Sequence, residues 1–263
     1  MRGQHGRELY DLAELYDVAY DWDTTRELVF YLECFEQFGG RPPQHVLEPA
    51  CGTGRNLLGM ARLGCRTTGY DINPHTLEYA RRSLSAEGLE GWARLLEGDM
   101  ASFRLPERFD GAFLSINSFR YLVEDADIES HLRHTRAMLR KRGVYIIDFS
   151  YGMPPGMATI DCSWENHRGD LELKILWETE EFDAQGISQE TCTVTETRPG
   201  QPQQVHRTIH RTRLWREEAF LEMIDRCGFE LRGVLDMDQE PIANETPLDG
   251  RLENLYHVLQ RID

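Results

Sequence analysis

Leu47-Glu48-Pro49-Ala50-Cys51-Gly52-Thr53-Gly54-Arg55-Asn56-Leu57-Leu58 is the stretch on which the reading of this chain turns. It joins a short apolar run, His45 to Glu48, to a helix-like segment over 54–63. Glycines at 52 and 54 let the backbone approach a ligand with no Cβ in the way. A helix starting there offers free N–H groups and the positive end of its dipole, which suits an anion. Asp71 closes the next apolar run, and a carboxylate at that point can accept hydrogen bonds from both hydroxyls of a ribose. Two cofactor classes use such a pairing. The dinucleotide pattern G-x-G-x-x-G requires a third glycine at 57, where this chain has Leu. An acid at 48 is also unhelpful beside a pyrophosphate, so the nicotinamide class is disfavoured.

Working outward, strands alternate with single helices. Strands are expected at 45–48, 66–71, 92–97, 110–116 and 143–148, with helices at 54–63, 74–87 and about 126–140 between them. Pro74 suits the first turn of its helix. Such alternation implies a parallel sheet with helices on both faces, doubly wound because crossovers are right-handed. Two helices are expected within 8–38, carried by Leu9, Leu12, Leu15 and Tyr16 and by Leu28, Val29, Leu32 and Phe35. The rhythm breaks over 151–214. Met153-Pro154-Pro155-Gly156 reads as a turn cluster, and alternation at Leu171, Leu173, Ile175 and Trp177 and at Thr191, Thr193, Thr195 and Thr197 reads as three or four antiparallel strands with one wet face. A helix at 216–227 and strands near 229–236 and 254–261 follow. The expected fold is α/β: a doubly wound, mostly parallel, Rossmann-like seven-stranded sheet with an antiparallel β insertion. The division is an N-terminal helical lid (1–40), a cofactor-binding core (41–150 and 215–263) and the insertion (151–214).

The segment LEPACGTGRNLL resembles motif I of the class I S-adenosylmethionine-dependent methyltransferases, with Ala50 in place of the motif's first glycine. Gly69-Tyr70-Asp71-Ile72-Asn73 resembles the family's ribose-binding acid and the adenine-packing residue beside it. Gly98-Asp99-Met100 resembles the loop whose acid meets the adenine amino group. Phe109 to Phe113 resembles the fourth strand, and Leu139 to Val144 the turn into the fifth, although Lys141-Arg142-Gly143 keeps only the last glycine of the usual turn. The resemblance implies S-adenosylmethionine as cofactor, S-adenosylhomocysteine as product and no metal. The cofactor-binding residues it implies are Tyr16, Tyr20, Glu48, Ala50, Gly52, Gly54, Asp71, Ile72, Asp99, Met100, Ser115 and Asn117. It makes Tyr16, Tyr20, Asn117, Arg120 and Asp148 candidates for contact with the acceptor; none is assigned as general base. Trp164, His167 and Trp177 of the insertion are candidates to roof the acceptor pocket. His131 and His134 read as members of a solvated helix face, and Cys51 as loop filler.

The acceptor is less legible. Enzymes that methylate bases in nucleic acid carry a [DNS]-P-P-[YF] stretch after the fourth strand, and Ser115-Ile116-Asn117-Ser118 has no proline. The 263-residue chain has 45 acidic against 29 basic residues, a formal charge of −16, which also disfavours a grip on nucleic-acid phosphates. A small-molecule N- or O-acceptor, notably an amine, is expected. The alternatives are a peptide or protein acceptor and a non-catalytic subunit of the same fold. No apolar run approaches the roughly 20 residues that span a bilayer, and the start of the chain lacks an apolar signal core. The six cysteines, Cys34, Cys51, Cys65, Cys162, Cys192 and Cys227, form no CxxC pair. These features imply a reduced cytoplasmic protein without a membrane partner. A homodimer fits the resemblance.

Overall fold

A computed structural model describes residues 9–152, 159, 161–243, 245–252 and 254–262. The Met153–Gly156 turn cluster lies outside them. After a 3-10 turn at Leu9–Asp11 come helices α1 (Ala13–Ala19) and α2 (Thr25–Gly39). The core then runs β1 (His45–Pro49), α3 (Arg55–Arg62), β2 (Arg66–Asp71), α4 (Pro74–Ala86), β3 (Ala93–Glu97), β4 (Phe109–Leu114), α5 (Asp125–Met138) and β5 (Leu139–Phe149). The insertion supplies β6 (Asp161–Arg168), β7 (Leu171–Thr179), β8 (Ile187–Thr197) and β9 (Gln204–Arg213), and α6 (Glu217–Arg226), β10 (Phe229–Leu235) and β11 (Leu255–Arg261) return to the core.

Seven strands form one sheet in the order β10-β11-β5-β4-β1-β2-β3. β3, β2, β1, β4 and β5 pair in parallel, and β11 pairs antiparallel to both β5 and β10. The order reverses between β1 and β4, so the crevice at that switch point lies above the carboxyl ends of β1, β2 and β4. α4 starts as the sequence predicts: Pro74 takes its first position and the Asn73 side chain accepts from His75 N at 2.8 Å.

Two details of the sheet depart from expectation. β5 begins at Leu139, four residues before the expected start at Gly143. Phe109 faces Leu139 and Gly111 faces Val144, so two steps along β4 match five along β5, and the excess leaves the ladder around Arg142, whose φ is +62°. Charged side chains there hid the strand from any apolar pattern.

The N-terminal stretch is also not one lid. α2 packs against β4 and β5, with Leu28, Phe30, Tyr31, Cys34 and Phe35 in a core cluster beside Phe113, Val144 and Ile146. Each large side chain buried this way contributes about 1.5–3 kcal/mol. Phe35 packs so closely that a Cβ on Gly111 would lie 2.4 Å from its ring. Only Leu9–Tyr20 lies over the glycine loop and the insertion's inner face.

The insertion is a separate antiparallel sheet, β6-β7-β8-β9. Its inner face, with Leu171, Leu173, Ile175, Cys192 and Val194, packs on Leu9, Leu15, Val18 and Ala19. Polar bonds sew the two together: Leu9 N donates to Thr208 Oγ1 at 2.7 Å, Trp164 Nε1 to the Ala19 carbonyl at 2.7 Å, and Arg168 pairs with Asp17 and Asp21.

Candidate functional site

The glycine loop leaves β1 and enters α3 at the switch point. Ala50, Gly52 and Gly54 take φ of +49°, +51° and +78°. Asp71, at the end of β2, holds the loop: its two oxygens accept from Gly52 N at 2.9 Å and Asn73 N at 2.8 Å. Oδ1 also accepts from Thr76 Oγ1 at 3.5 Å, and Oδ2 keeps a further lone pair for a hydroxyl. Burial raises the Asp71 pKa against these hydrogen bonds.

Glu48 is buried, and one of its oxygens accepts from Asn56 Nδ2 at 3.1 Å while the other, Oε2, has no partner. Burial pushes its carboxyl up to about 8. Asn56 Nδ2 also donates to Ser115 Oγ at 2.9 Å, which ties β1, α3 and the end of β4 into one polar cluster. Asp148, at the end of β5, repeats the pattern. Its Oδ2 accepts from Ile116 N at 2.9 Å, and its Oδ1 is buried without a partner. Burial, then the nearby Glu27 carboxylate, raises it to about 7.

The adenine-side candidates are spread along the same edge. Ile72 is 66% exposed, far from the core role an apolar residue after a strand usually takes. Met100 is half-buried against the main core. Asp99 is exposed, and one of its oxygens accepts from Ala101 N at 2.9 Å.

Tyr16 and Tyr20 of the N-terminal segment lie over the loop. A Cβ on Gly52 would sit 3.2 Å from the Tyr16 ring, and the two tyrosine rings are 4.9 Å apart. Arg55 locks the cover by donating to the Tyr20 carbonyl at 2.6 Å, with its guanidinium 4.5 Å over the Trp22 ring. The remaining cavity, lined by Tyr16, Tyr20, Glu48, Ala50, Asn56 and Ser115 among others, measures about 30 Å³. A ligand pocket has roughly 300–1,000 Å³. The donor and acceptor set fits S-adenosylmethionine: an unpartnered carboxylate oxygen for its ammonium, an acid at the ribose position, a bare glycine turn and an uncovered apolar residue. The cavity itself is far below that range, with the Tyr16 ring packed against Gly52.

Other predicted residues sit elsewhere. Asn117 takes φ +57°, donates to Asn254 Oδ1 at 3.2 Å and accepts from Ser150 N at 3.3 Å, away from the residues lining the cavity. Arg120 is taken up by the insertion, donating to Glu190 Oε1 at 2.6 Å and Thr212 Oγ1 at 3.1 Å. Trp164 and Trp177 face inward as expected, but His167 points to the wet face and is exposed, because alternation along β6 puts it opposite Trp164. His131 is fully buried rather than solvated. Its Nδ1 donates to the Met100 carbonyl at 2.9 Å and its Nε2 accepts from the Tyr145 hydroxyl at 2.6 Å. Cys51 is buried filler, its Sγ 2.9 Å from where a Cβ on Gly69 would stand. Sequence reasoning missed Asn56 and Glu27. The available signal was a polar residue beside Leu57, Leu58 and Met60 for the first, and an acid one turn before Tyr31 for the second.

Residues 46–143 match the sequence profile of a methyltransferase-domain family. YqeM of Bacillus subtilis is 23% identical over 217 residues, covering 77% of this chain and 81% of that protein. A Streptomyces fradiae protein named dTDP-3-amino-3,6-dideoxy-alpha-D-glucopyranose N,N-dimethyltransferase is 26% identical over 152 residues, covering 56% of this chain and 57% of its own. Among solved structures, an S-adenosylmethionine-dependent methyltransferase from Clostridium acetobutylicum superposes with a TM-score of 0.77 at 17% identity, covering 97% of this chain and 99% of the other. The profile match lies on the glycine loop, Asp71 and the fourth strand, where the geometry above converges, so residues 46–143 are similar to a methyltransferase domain and the whole chain has the fold of an S-adenosylmethionine-dependent methyltransferase.

Proposed function

We propose that this protein methylates a nitrogen of a small molecule bearing an amino group, by in-line displacement. The observation that carries this reading is the Asp148 carboxylate, buried behind the cavity wall with one oxygen held by Ile116 N and the other unpartnered. A buried carboxylate without a partner is costly, and an ammonium or amine N–H relieves that cost. Glu48 takes the cofactor's own ammonium, so Asp148 is left for a second cationic group.

The cofactor supplies an electrophilic methyl group on a sulfonium. The chain's residues do the rest. Asp71 would accept from the ribose, Ile72 and Met100 would flank the adenine, and Asp99 would take its amino group. The Ile116 N–H holds one oxygen of Asp148 so that the other meets the acceptor nitrogen and receives its proton. Tyr16 and Tyr20 close over the reacting atoms and keep water out. Positioning of this kind is where methyl transfer gains most of its rate. The Streptomyces fradiae relative, whose name specifies an amino-sugar nitrogen, supports the same acceptor class.

The test is a methylation assay with dTDP-3-amino-3,6-dideoxyglucose and, as control, dTDP-glucose, read by mass spectrometry. Methylation of the amino sugar alone is expected. Methylation of a basic peptide in preference to both sugars would overturn the small-molecule reading.

A further inference from the structure

β6 is mostly exposed and lends little to a core, yet its side chains on one face all reach the same target. Trp164 Nε1 donates to the Ala19 carbonyl at 2.7 Å, Asn166 Nδ2 donates to the Asp21 carbonyl at 3.1 Å, and Arg168 pairs with the carboxylates of Asp17 and Asp21. Alternation along the strand gives these residues one face and sends Glu165 and His167 to the other. That face of β6 is therefore spent on the end of the segment that lies over the glycine loop.

Arg168 makes the most of these bonds. It closes β6 just before a tight turn in which Gly169 takes φ +59°. Its Nη2 lies 2.8 Å from Asp17 Oδ2 and 2.7 Å from Asp21 Oδ2, and its Nη1 donates to the Tyr79 hydroxyl at 3.0 Å. That hydroxyl donates in turn to Asp17 Oδ2 at 2.8 Å. One side chain of the insertion thus joins the covering segment to α4, the helix that follows Asp71. A planar guanidinium with fixed donors can serve such a divergent set of partners, whereas an ammonium is a point charge.

The joint acts on the cofactor cleft through its neighbours in sequence. Tyr16 and Tyr20 each precede a carboxylate that Arg168 holds, and both line the cavity of about 30 Å³. A ligand pocket needs roughly ten times that volume, so a cofactor passes only when the tyrosines move. The loop and sheet beneath them are packed core, which leaves the bonds of the cover as those that part. The side chains of Arg168 and Asp21 are 41% and 49% exposed. Ion pairs this open contribute little to global stability, and moving segments are drawn from the least stable contacts. The joint can open while both sheets stay intact.

We propose that Arg168 is a positioning residue for the cofactor: it holds Tyr16 and Tyr20 down over the glycine loop, and release of its joint with Asp17, Asp21 and Tyr79 is the step that lets the cofactor in and out. The inference rests on the reading that the cofactor sits beneath Tyr16, and not on the acceptor.

The test is the dissociation rate of radiolabelled S-adenosylhomocysteine from the full chain, chased with excess unlabelled compound. R168Q should speed release about fivefold. Y79F, which keeps the ring and removes only the shared hydroxyl, should speed it about two- to threefold. The double variant should be no faster than R168Q, because both changes act on one joint. Raising salt from about 50 to 500 mM should speed release from the wild type and leave R168Q unchanged. K174Q removes the ion pair with Glu165 on the other face of the same hairpin and should release at the wild-type rate. Melting temperatures report that each variant is folded. Wild-type rates in folded R168Q and Y79F, or release from K174Q as fast as from R168Q, would overturn the latch and leave the cofactor reading standing. A wild type that binds no S-adenosylhomocysteine, or unchanged affinity in Asp71→Ala, would overturn the cofactor reading and the latch with it.

Discussion

Ala50 holds a backbone conformation that its own Cβ resists, φ +49° in the loop that must pass close to the cofactor. A left-handed L-residue costs about 1–2 kcal/mol, part of which a glycine gives back as chain entropy. Ala50→Gly should therefore raise unfolding free energy by up to about 1 kcal/mol, measured by urea denaturation. Glu48 makes a second prediction at this scale. With its carboxyl at about 8 it is largely protonated in the free protein at neutral pH, and a cationic cofactor draws it into the ionised form. Affinity for S-adenosylhomocysteine should tighten as pH rises toward 8, with proton release. Glu48→Gln should weaken binding about tenfold at pH 8 and flatten the pH dependence relative to wild type. The placement of Glu48, Gly52, Gly54 and Asp71 around one loop was legible in the sequence, because it rests on a local motif. His131 was not, since its partners Met100 and Tyr145 come from a loop and a strand that only the folded sheet brings to α5.

Among the elements, β1 to β4 and α3 to α5 were readable because apolar runs and helical spacing are local signals. β6 was not singled out. Its residues are mostly exposed and polar, and it stays in the sheet through eight paired positions with β7 rather than through a core face. The covering position of α1 and the core position of α2 could not be separated either, because both helices show the same apolar spacing and only the partner differs. The segment after β4 carries a joint with the insertion that the sequence did not reveal. Arg120 belongs to the joint between that segment and the insertion, 15% exposed against a Glu190 that is 4% exposed. Removing one member of such a pair leaves an uncompensated charge at a cost of about 3–5 kcal/mol. Arg120→Ala should lower stability by that order in calorimetry while S-adenosylhomocysteine affinity in the folded fraction stays within a few-fold of wild type. A large loss of affinity would instead restore it to the site.

For the whole molecule, two sets of buried groups set the pH response. Burial lowers His131 and His210 to about 4 and His257 to about 3, from 6.5. The unfolded chain then binds more protons, so stability falls as pH drops below 6.5, each group adding a slope of up to about 1.4 kcal/mol per pH unit. Glu48 and Asp148 act with the opposite sign. Their folded values of about 8 and 7 exceed the unfolded ones, so stability is lost as pH rises through the interval up to those values. Thermal unfolding across pH should give a maximum near 6.5, and the alkaline loss should shrink in Glu48→Gln.

The bond from Leu9 N to Thr208 Oγ1 joins residues 199 apart in the chain. The segment over the glycine loop is thus fastened to the insertion as well as to the core, so a change that loosens the insertion's hold on Leu9 also loosens what lies over the loop.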